Sequence, residues 1–184
     1  MAPTSPPTYT AHSPAQAEPP SGFRLPLNTD GPFPPPQQTL PAPFVEGDGH
    51  NPVFVGSAIF PNGVHPCKIS PALGATPCRV PYGGTEVEHR GRYDLLPFKP
   101  DMMEWVPASG GKIPYGRRPI EGGYDDGGAK LYHAFATVNG VRVPGKTGEH
   151  LYGANVAYNG SEHCFSSGYE ILFVQFLLVS QSNF

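Results

Sequence analysis

Residues 131–172 read LYHAFATVNGVRVPGKTGEHLYGANVAYNGSEHCFSSGYEIL, and residues 53–96 carry a diverged copy, VFVGSAIFPNGVHPCKIS…VPYGGTEVEHRGRYDLL. Pro66-Cys67-Lys68 matches Pro144-Gly145-Lys146 at an offset of 78, and Tyr82-Gly83-Gly84-Thr85-Glu86 matches Tyr158-Asn159-Gly160-Ser161-Glu162 at an offset of 76. Tyr93-Asp94-Leu95-Leu96 then matches Tyr169-Glu170-Ile171-Leu172, with the same interval of 7 from Glu to Tyr in both copies. Ordered matches at steady spacing mark an internal repeat. Val53 to Ile59 and Leu131 to Val138 have the apolar character and length of strands. Pro61-Asn62-Gly63 and Asn139-Gly140 follow them as turns, Asn-Gly being the strongest short hairpin signal. Tyr82-Gly83-Gly84 and Tyr158-Asn159-Gly160 are further turns, and Tyr93 to Leu96 and Tyr169 to Val174 close each copy with a strand. No segment carries a 3.6-residue apolar period over helical length. The expected fold is all-β: two pseudo-symmetric, intertwined antiparallel repeats with little or no helix.

Working outward, the second copy has a longer lead-in, MEWVPASGGKIPYGRRPIEGGYDDGGAKLY, in which Trp105 offers the largest single apolar surface for a core. Residues 23–52 hold a degenerate counterpart. Phe23, Phe33-Pro34 and Val45-Glu46-Gly47-Asp48-Gly49 echo Trp105, Ile113-Pro114 and Ile120-Glu121-Gly122…Asp125. Residues 1–21 have almost no aliphatic content and read as a Pro-rich, flexible tail. The organisation expected is a tail at 1–21, a first repeat at 22–100 and a second at 101–184.

Glycine and proline segregate: 13 of the 25 prolines fall in residues 1–43 and 21 of the 23 glycines after them. The tail is therefore distinct from a turn-rich β fold. Twelve Lys and Arg stand against fifteen Asp and Glu, a net charge of −3 with no basic stripe, which argues against nucleic acid and against insertion into an anionic membrane. The N-terminal MAPTSPP has neither a positive leader nor an apolar run, so a cytoplasmic, reducing location is expected. Three cysteines, Cys67, Cys78 and Cys164, do not make a disulfide framework.

The ordered elements W…IP…GGYD…LY…PGK…YNGSE…YEIL resemble the DM-nine repeat family, over most of residues 44–175. The resemblance implies an antiparallel fold with two repeats intertwined about a pseudo-twofold axis, and mannose binding by a homodimer. It also implies that an Asp after the Gly-rich lead-in and the Lys of PGK hold the sugar. On this chain those are Asp125 and Lys146, with Asp126 the neighbouring candidate, and Asp48 and Lys68 in the first copy. The first copy departs from the pattern: Cys67 replaces the Gly of PGK, where a side chain would forbid a positive φ, and Ser57 (with Phe135 in the second copy) replaces an Arg.

Such a pair suits a hexose, whose vicinal hydroxyls donate to a carboxylate and accept from an ammonium. Tyr115, Tyr124 and Tyr132 are candidates to stack on the sugar. Glu86 and Glu162 recur and read as acceptors for turn amides, and Tyr93 and Tyr169 as core residues. A His65-x-Cys67…Cys78…His89 series lacks paired zinc-ligand spacing in its second half, so no metal is expected. There is no nucleophile elbow, Walker loop or His-Glu-x-x-His, and Glu162-His163-Cys164 alternates across a strand. The expectation is a lectin for mannose-type glycans without cofactor or catalysis. The alternative is a structural or protein-interaction module with decayed sugar sites, acting through the Pro-rich tail.

Overall fold

The computed structural model describes residues 19–175, so the tail expected at 1–21 lies almost wholly outside the described residues. The first repeat comprises β1 (Leu25–Asn28), β2 (Phe44–Val45), β3 (Pro52–Ile59), β4 (Val64–Ile69), β5 (Cys78–Tyr82), β6 (Thr85–Glu88) and β7 (Arg92–Leu96). The second comprises β8 (Met103–Ala108), β9 (Glu121–Tyr124), β10 (Lys130–Val138), β11 (Val141–Gly148), β12 (Gly153–Tyr158), β13 (Ser161–Phe165) and β14 (Tyr169–Val174). Among the described residues helix is confined to the four residues Pro36–Thr39 and two single 3-10 turns, so the all-β expectation holds. No helix among the described residues is long and apolar enough to cross a membrane.

The strand order is β1-β7-β3-β4-β5-β6-β13-β12-β11-β10-β14-β8, and its second half reverses its first with every index advanced by seven. That palindrome is the pseudo-twofold axis, and it runs between β6 and β13. β9 pairs with β10 on one side and β4 on the other, which closes β4, β5, β6, β13, β12, β11, β10 and β9 into an eight-stranded barrel. Closure leaves these strands without open edges.

The turns match the sequence signals. Asn139-Gly140, Gly83-Gly84 and Asn159-Gly160 all have positive φ at both central positions, the geometry whose twist suits a two-residue hairpin. The first copy's Asn62-Gly63 differs: Pro61-Asn62 is the central pair, and Phe60 N–H donates to the Gly63 carbonyl. β1 lies on β7 as β8 lies on β14, in a register that differs from the one expected for the lead-in. Leu25 faces Leu95 where Val106 faces Ile171, so Arg24 rather than Phe23 stands at the place of Trp105. Phe23 is half exposed.

Each repeat has its own core, and a third cluster joins them. Phe44, Val53, Val55 and Leu96 from the first repeat pack on Met103, Ile120, Phe135 and Leu172 from the second, with Trp105 against Phe44 and Phe135 at ring-centroid distances of 5.4 and 5.1 Å. Phe135, at the position where the family pattern expects Arg, is thus an interface core residue. Tyr93 and Tyr169 are both buried as expected.

Arg24 pins the barrel-closing strand. Its guanidinium donates to the Glu121 carbonyl at 2.7 Å, to Ser57 Oγ and to His133 Nε2, while Glu121 N–H donates to the Pro20 carbonyl. Burial pushes the guanidinium down to about 10. A guanidinium only donates, so the His133 proton lies on Nδ1 and the ring is neutral. Burial first, and Arg24 second, hold the His133 pKa well below its ordinary value.

The Gly145 backbone is not left-handed, contrary to expectation. Glycine is needed there because β11 and β12 stay paired from Gly145 to Gly148, and a Cβ would overlap the Asn155 carbonyl and stand 3.0 Å from Val156 Cα. At Cys67 the ladder has already ended, since β4 and β5 pair only at Lys68 and Ile69, and the thiol fills the space that opens. Gly145→Ala is therefore expected to cost about 1–3 kcal/mol, whereas Cys67→Ala leaves only a small void; urea melts of the two variants test the contrast.

Three buried imidazoles make stability pH-dependent. Burial lowers the pKa of His65, His89 and His133, assisted by Lys146 at the first and Arg24 at the third. Unfolded, each binds a proton below about 6.5, so stability is full above that pH and falls as pH drops toward each lowered folded pKa. The slope approaches about 1.4 kcal/mol per pH unit for each ring still neutral in the fold. A melting temperature that fails to drop between about pH 7.5 and pH 5.5 would contradict this.

Candidate functional site

The two repeats clasp at the tips of their second hairpins. Ser161 pairs with Thr85, and Glu86 N–H and Glu162 N–H donate to the Gly160 and Gly84 carbonyls, each at 3.2 Å. Side chains repeat the exchange: Glu162 Oε2 accepts from Gly84 N–H and Glu86 Oε2 from Gly160 N–H, both at 2.7 Å. Glu86 and Glu162 do accept turn amides, as expected, but from the opposite repeat. The clasp also swings Tyr82 and Tyr158 across the axis. Lys146 Nζ lies 5.4 Å from the Tyr82 ring centroid, and Lys68 Nζ lies 5.8 Å from that of Tyr158. Each lysine of the PGK position therefore sits over an aromatic ring of the other copy, within cation–π range.

Two clefts result. The second repeat's cleft, of about 340 Å³, is lined by Lys146, Asp125, Asp126, Asn155 and Glu162 with His65 and Tyr82 from the first repeat. Lys146 is 6% exposed, and among the described residues its one hydrogen-bond partner is His65 Nδ1, at 3.4 Å. Burial lowers its pKa, opposed by Glu162, Asp125 and Asp126. Asp126 accepts from the Tyr82 hydroxyl at 2.6 Å through Oδ2, while Oδ1 stands 3.5 Å from His65 Nε2. The tyrosine bond, then His65, hold its pKa below the usual carboxylate range. Asp125 is spent on its own loop: Oδ1 accepts from Gly127 and Ala129 N–H, and Oδ2 contacts His150 Nε2 at 2.6 Å. Of the two aspartates, Asp126 presents the free carboxylate face, being 48% exposed at its side chain.

The first repeat's cleft, of about 570 Å³, is lined by Lys68, Glu46, Arg79, Glu86, Glu88 and Tyr158, among others. Asp48 is not there. Its carboxylate accepts from His50 N–H, Asn51 N–H and the Asn51 amide, a closed local turn. Backbone bonds settle the correspondence: Glu46 N–H donates to the Asn51 carbonyl as Asp125 N–H donates to that of Ala129, and Gly49 bonds Glu46 as Gly128 bonds Asp125. Glu46 is thus the counterpart of Asp125, and Gly47 of Asp126. Lys68 Nζ stands 3.5 Å from Glu86 and 3.9 Å from Glu46, while Arg79 pairs with Glu88 at 3.3 Å and with Glu86 at 3.9 Å.

The structure brings Lys146 together with Asp125 and Asp126, and leaves Asp48 apart from Lys68. The tyrosines proposed from sequence lie elsewhere: Tyr115 is fully exposed, Tyr124 lines the hollow beside Arg24, and Tyr132 packs on the second repeat's core. Tyr82, His65 and Glu46 were not foreseen. The recurrence of Tyr82 and Tyr158 was the available signal, but crossing the axis is invisible in a linear repeat. His65 and His89 flank the Phe60 ring, Cys67 and Cys78 lie in the core, and Cys164 is exposed. No group of three ligand-type side chains converges among the described residues.

A duplicated seven-strand unit, closed into a barrel with two axis-related clefts, defines the class of this protein. Residues 47–165 match the sequence profile of the DM9 repeat, and the chain belongs to that family. No curated protein matches the sequence. Among solved structures, the nematode sperm cell motility protein MFP2B shares the fold at 14% identity and a TM-score of 0.63. The match covers 92% of this chain and 51% of that one, so the chain spans about half its length.

Because each Glu ties down the other repeat's turn, Glu86→Ala and Glu162→Ala are each expected to lose about 1–3 kcal/mol, the first disturbing the cleft around Lys68 and the second that around Lys146. Denaturant melts of the two variants measure the loss; an unchanged midpoint in either would contradict the clasp.

Proposed function

We propose that this chain is a non-catalytic carbohydrate-binding protein that takes mannose or mannose-containing glycans in its two clefts. One observation carries the reading. In the second repeat's cleft a buried ammonium with unspent donors and a carboxylate with an exposed face line one shallow hollow, over the ring of Tyr82. Vicinal hydroxyls of a hexose accept from the first and donate to the second, and an aromatic edge shields the sugar's apolar side. Charge-assisted hydrogen bonds of this kind contribute about 1.5–3 kcal/mol each. Membership of the DM9 repeat family is compatible with a binding role of this class. Two clefts per chain, doubled again in a homodimer, would raise avidity without deep pockets.

A second reading, a structural or interaction module with decayed sugar sites, is favoured by the first cleft. There Lys68 and Arg79 are already paired with Glu46, Glu86 and Glu88. The solved structure that shares the fold is a sperm cell motility protein, which fits that reading as well.

Calorimetric titration with methyl α-mannoside separates the two. Lys146→Met and Asp126→Asn are expected to weaken binding at the second cleft roughly 10- to 150-fold with the circular dichroism unchanged. If the unaltered protein takes up no mannoside, the interaction module replaces the lectin.

A further inference from the structure

The two clefts differ in a correlated way at one spot. Beside Lys146 stand His65, Asp126 and Gly63, and a Cβ on Gly63 would stand 2.8 Å from His65 Nε2 and 3.2 Å from Asp126 Oδ1. Glycine is therefore what lets this imidazole face this carboxylate. The ladder registers place Val143 opposite Ala136 as His65 is opposite Ala58, and Val141 opposite Val138 as Val64's neighbour Gly63 is opposite Phe60. Beside Lys68 the same three places thus hold Val143, Gly47 and Val141. A Cβ on Gly47 would meet Val141 Cγ2 at 3.2 Å, so the valine crowds the aspartate position and would have to shift for a side chain there. Where the first cleft has an apolar plug, the second has a titratable pair.

That pair decides how Lys146 is held. An ammonium has only donors, so its 3.4 Å contact with His65 Nδ1 puts the imidazole proton on Nε2. Nε2 is buried without a full hydrogen-bond partner, and its 3.5 Å contact to Asp126 is a charge–dipole attraction. The groups around the ring are Lys146 from β11, Asp126 and more distantly Asp125 from the loop after β9, the Tyr82 ring from β5, and Phe60 after β3, with His89 stacked behind Phe60.

We propose that His65, supplied by the first repeat, is the positioning residue for Lys146 in the second repeat's cleft, and that protonating it in mild acid disarms this cleft while the first stays competent. A second proton on the ring turns Nδ1 into a donor facing an ammonium, and like charge at that distance drives Lys146 out of line. The same event tightens Nε2 on Asp126 and draws off the carboxylate that would accept from the ligand. Burial and Lys146 keep the ring neutral even somewhat below its ordinary 6.5, and Asp126 opposes them only in part. Binding competence is thus present at neutral pH and lost as pH falls through the lowered pKa. In a chain with two clefts, acidification halves the valency. The sugar arm rests on reading the cleft as a hexose site; the holding of the ammonium does not.

The test isolates each cleft. In a Lys68→Met background, methyl α-mannoside affinity is expected to fall on the order of tenfold per pH unit once the imidazole titrates, measured from about pH 7.5 to about pH 5. Adding His65→Asn, whose amide oxygen accepts but does not titrate, is expected to flatten that profile, and the Lys146→Met background, reporting the first cleft, is expected to be flat as well. A flat second cleft, or an equal fall in the Lys146→Met or His65→Asn protein, overturns the proposal. If no protein binds the mannoside, the sugar reading fails and nitrogen-15 NMR of the unliganded chain decides the rest. The expected result is an unprotonated Nδ1 at neutral pH, and a Lys146 Nζ resonance that shifts with the midpoint of His65. Unlinked midpoints sink it.

Discussion

Four hydrogen bonds across the pseudo-twofold axis, two of them short, hold the molecule's two halves in register. Glu86 and Glu162 each accept a turn N–H from the other repeat, and the same turns exchange main-chain bonds. The side-chain acceptors are carboxylates, so those two bonds are of the stronger, charge-assisted kind. They are also what make a barrel out of two half-sheets, because β6 and β13 otherwise share a single paired residue. The I′ turns at Gly83-Gly84 and Asn159-Gly160 are tight enough to present their amides outward, which is why both copies need residues tolerant of positive φ there.

From that clasp the clefts follow. A lysine buried to 5 or 6% exposure is expensive unless its charge is answered nearby. Here the answer comes from both repeats at once: a carboxylate of the lysine's own copy and the tyrosine ring of the other. Neither repeat alone could hold its lysine charged and dry, since Tyr82 and His65 serve Lys146 while Tyr158 serves Lys68. Duplication is therefore a condition of the site as well as of the core.

Much of this was legible in the chain, and the limits are specific. The repeat, the strands, the Asn-Gly turns and the two PGK-position lysines could be read because each depends on local spacing. The aspartate register could not. Asp48 and Asp126 both follow Gly-rich lead-ins, but only the hydrogen-bond ladder shows Glu46 at the place of Asp125 and Asp48 folded into its own loop. Arg24 escaped notice for a similar reason, since its partners Ser57, Glu121 and His133 lie 33 to 109 residues away. Gly145 was read for conformation when its constraint is closeness to Asn155 and Val156. Linear patterns carry φ preferences and periodicity; they do not carry who stands across an axis.

The asymmetry between the clefts shows how a duplicated site can diverge without losing its frame. Substituting one position in isolation meets crowding: a side chain at Gly47 presses on Val141, and one at Gly63 runs into His65 and crowds the Tyr124 carbonyl and Asp126. The three places are matched within each cleft, one set apolar and self-filled, the other polar with an orphaned imidazole nitrogen. An orphaned buried donor costs stability, on the order of 1–3 kcal/mol, and nothing in the barrel's construction requires it, since the first repeat does without. A feature that weakens the fold and is absent from its own symmetry mate is explained by what it does to the cleft, where it fixes the direction of the Lys146 ammonium.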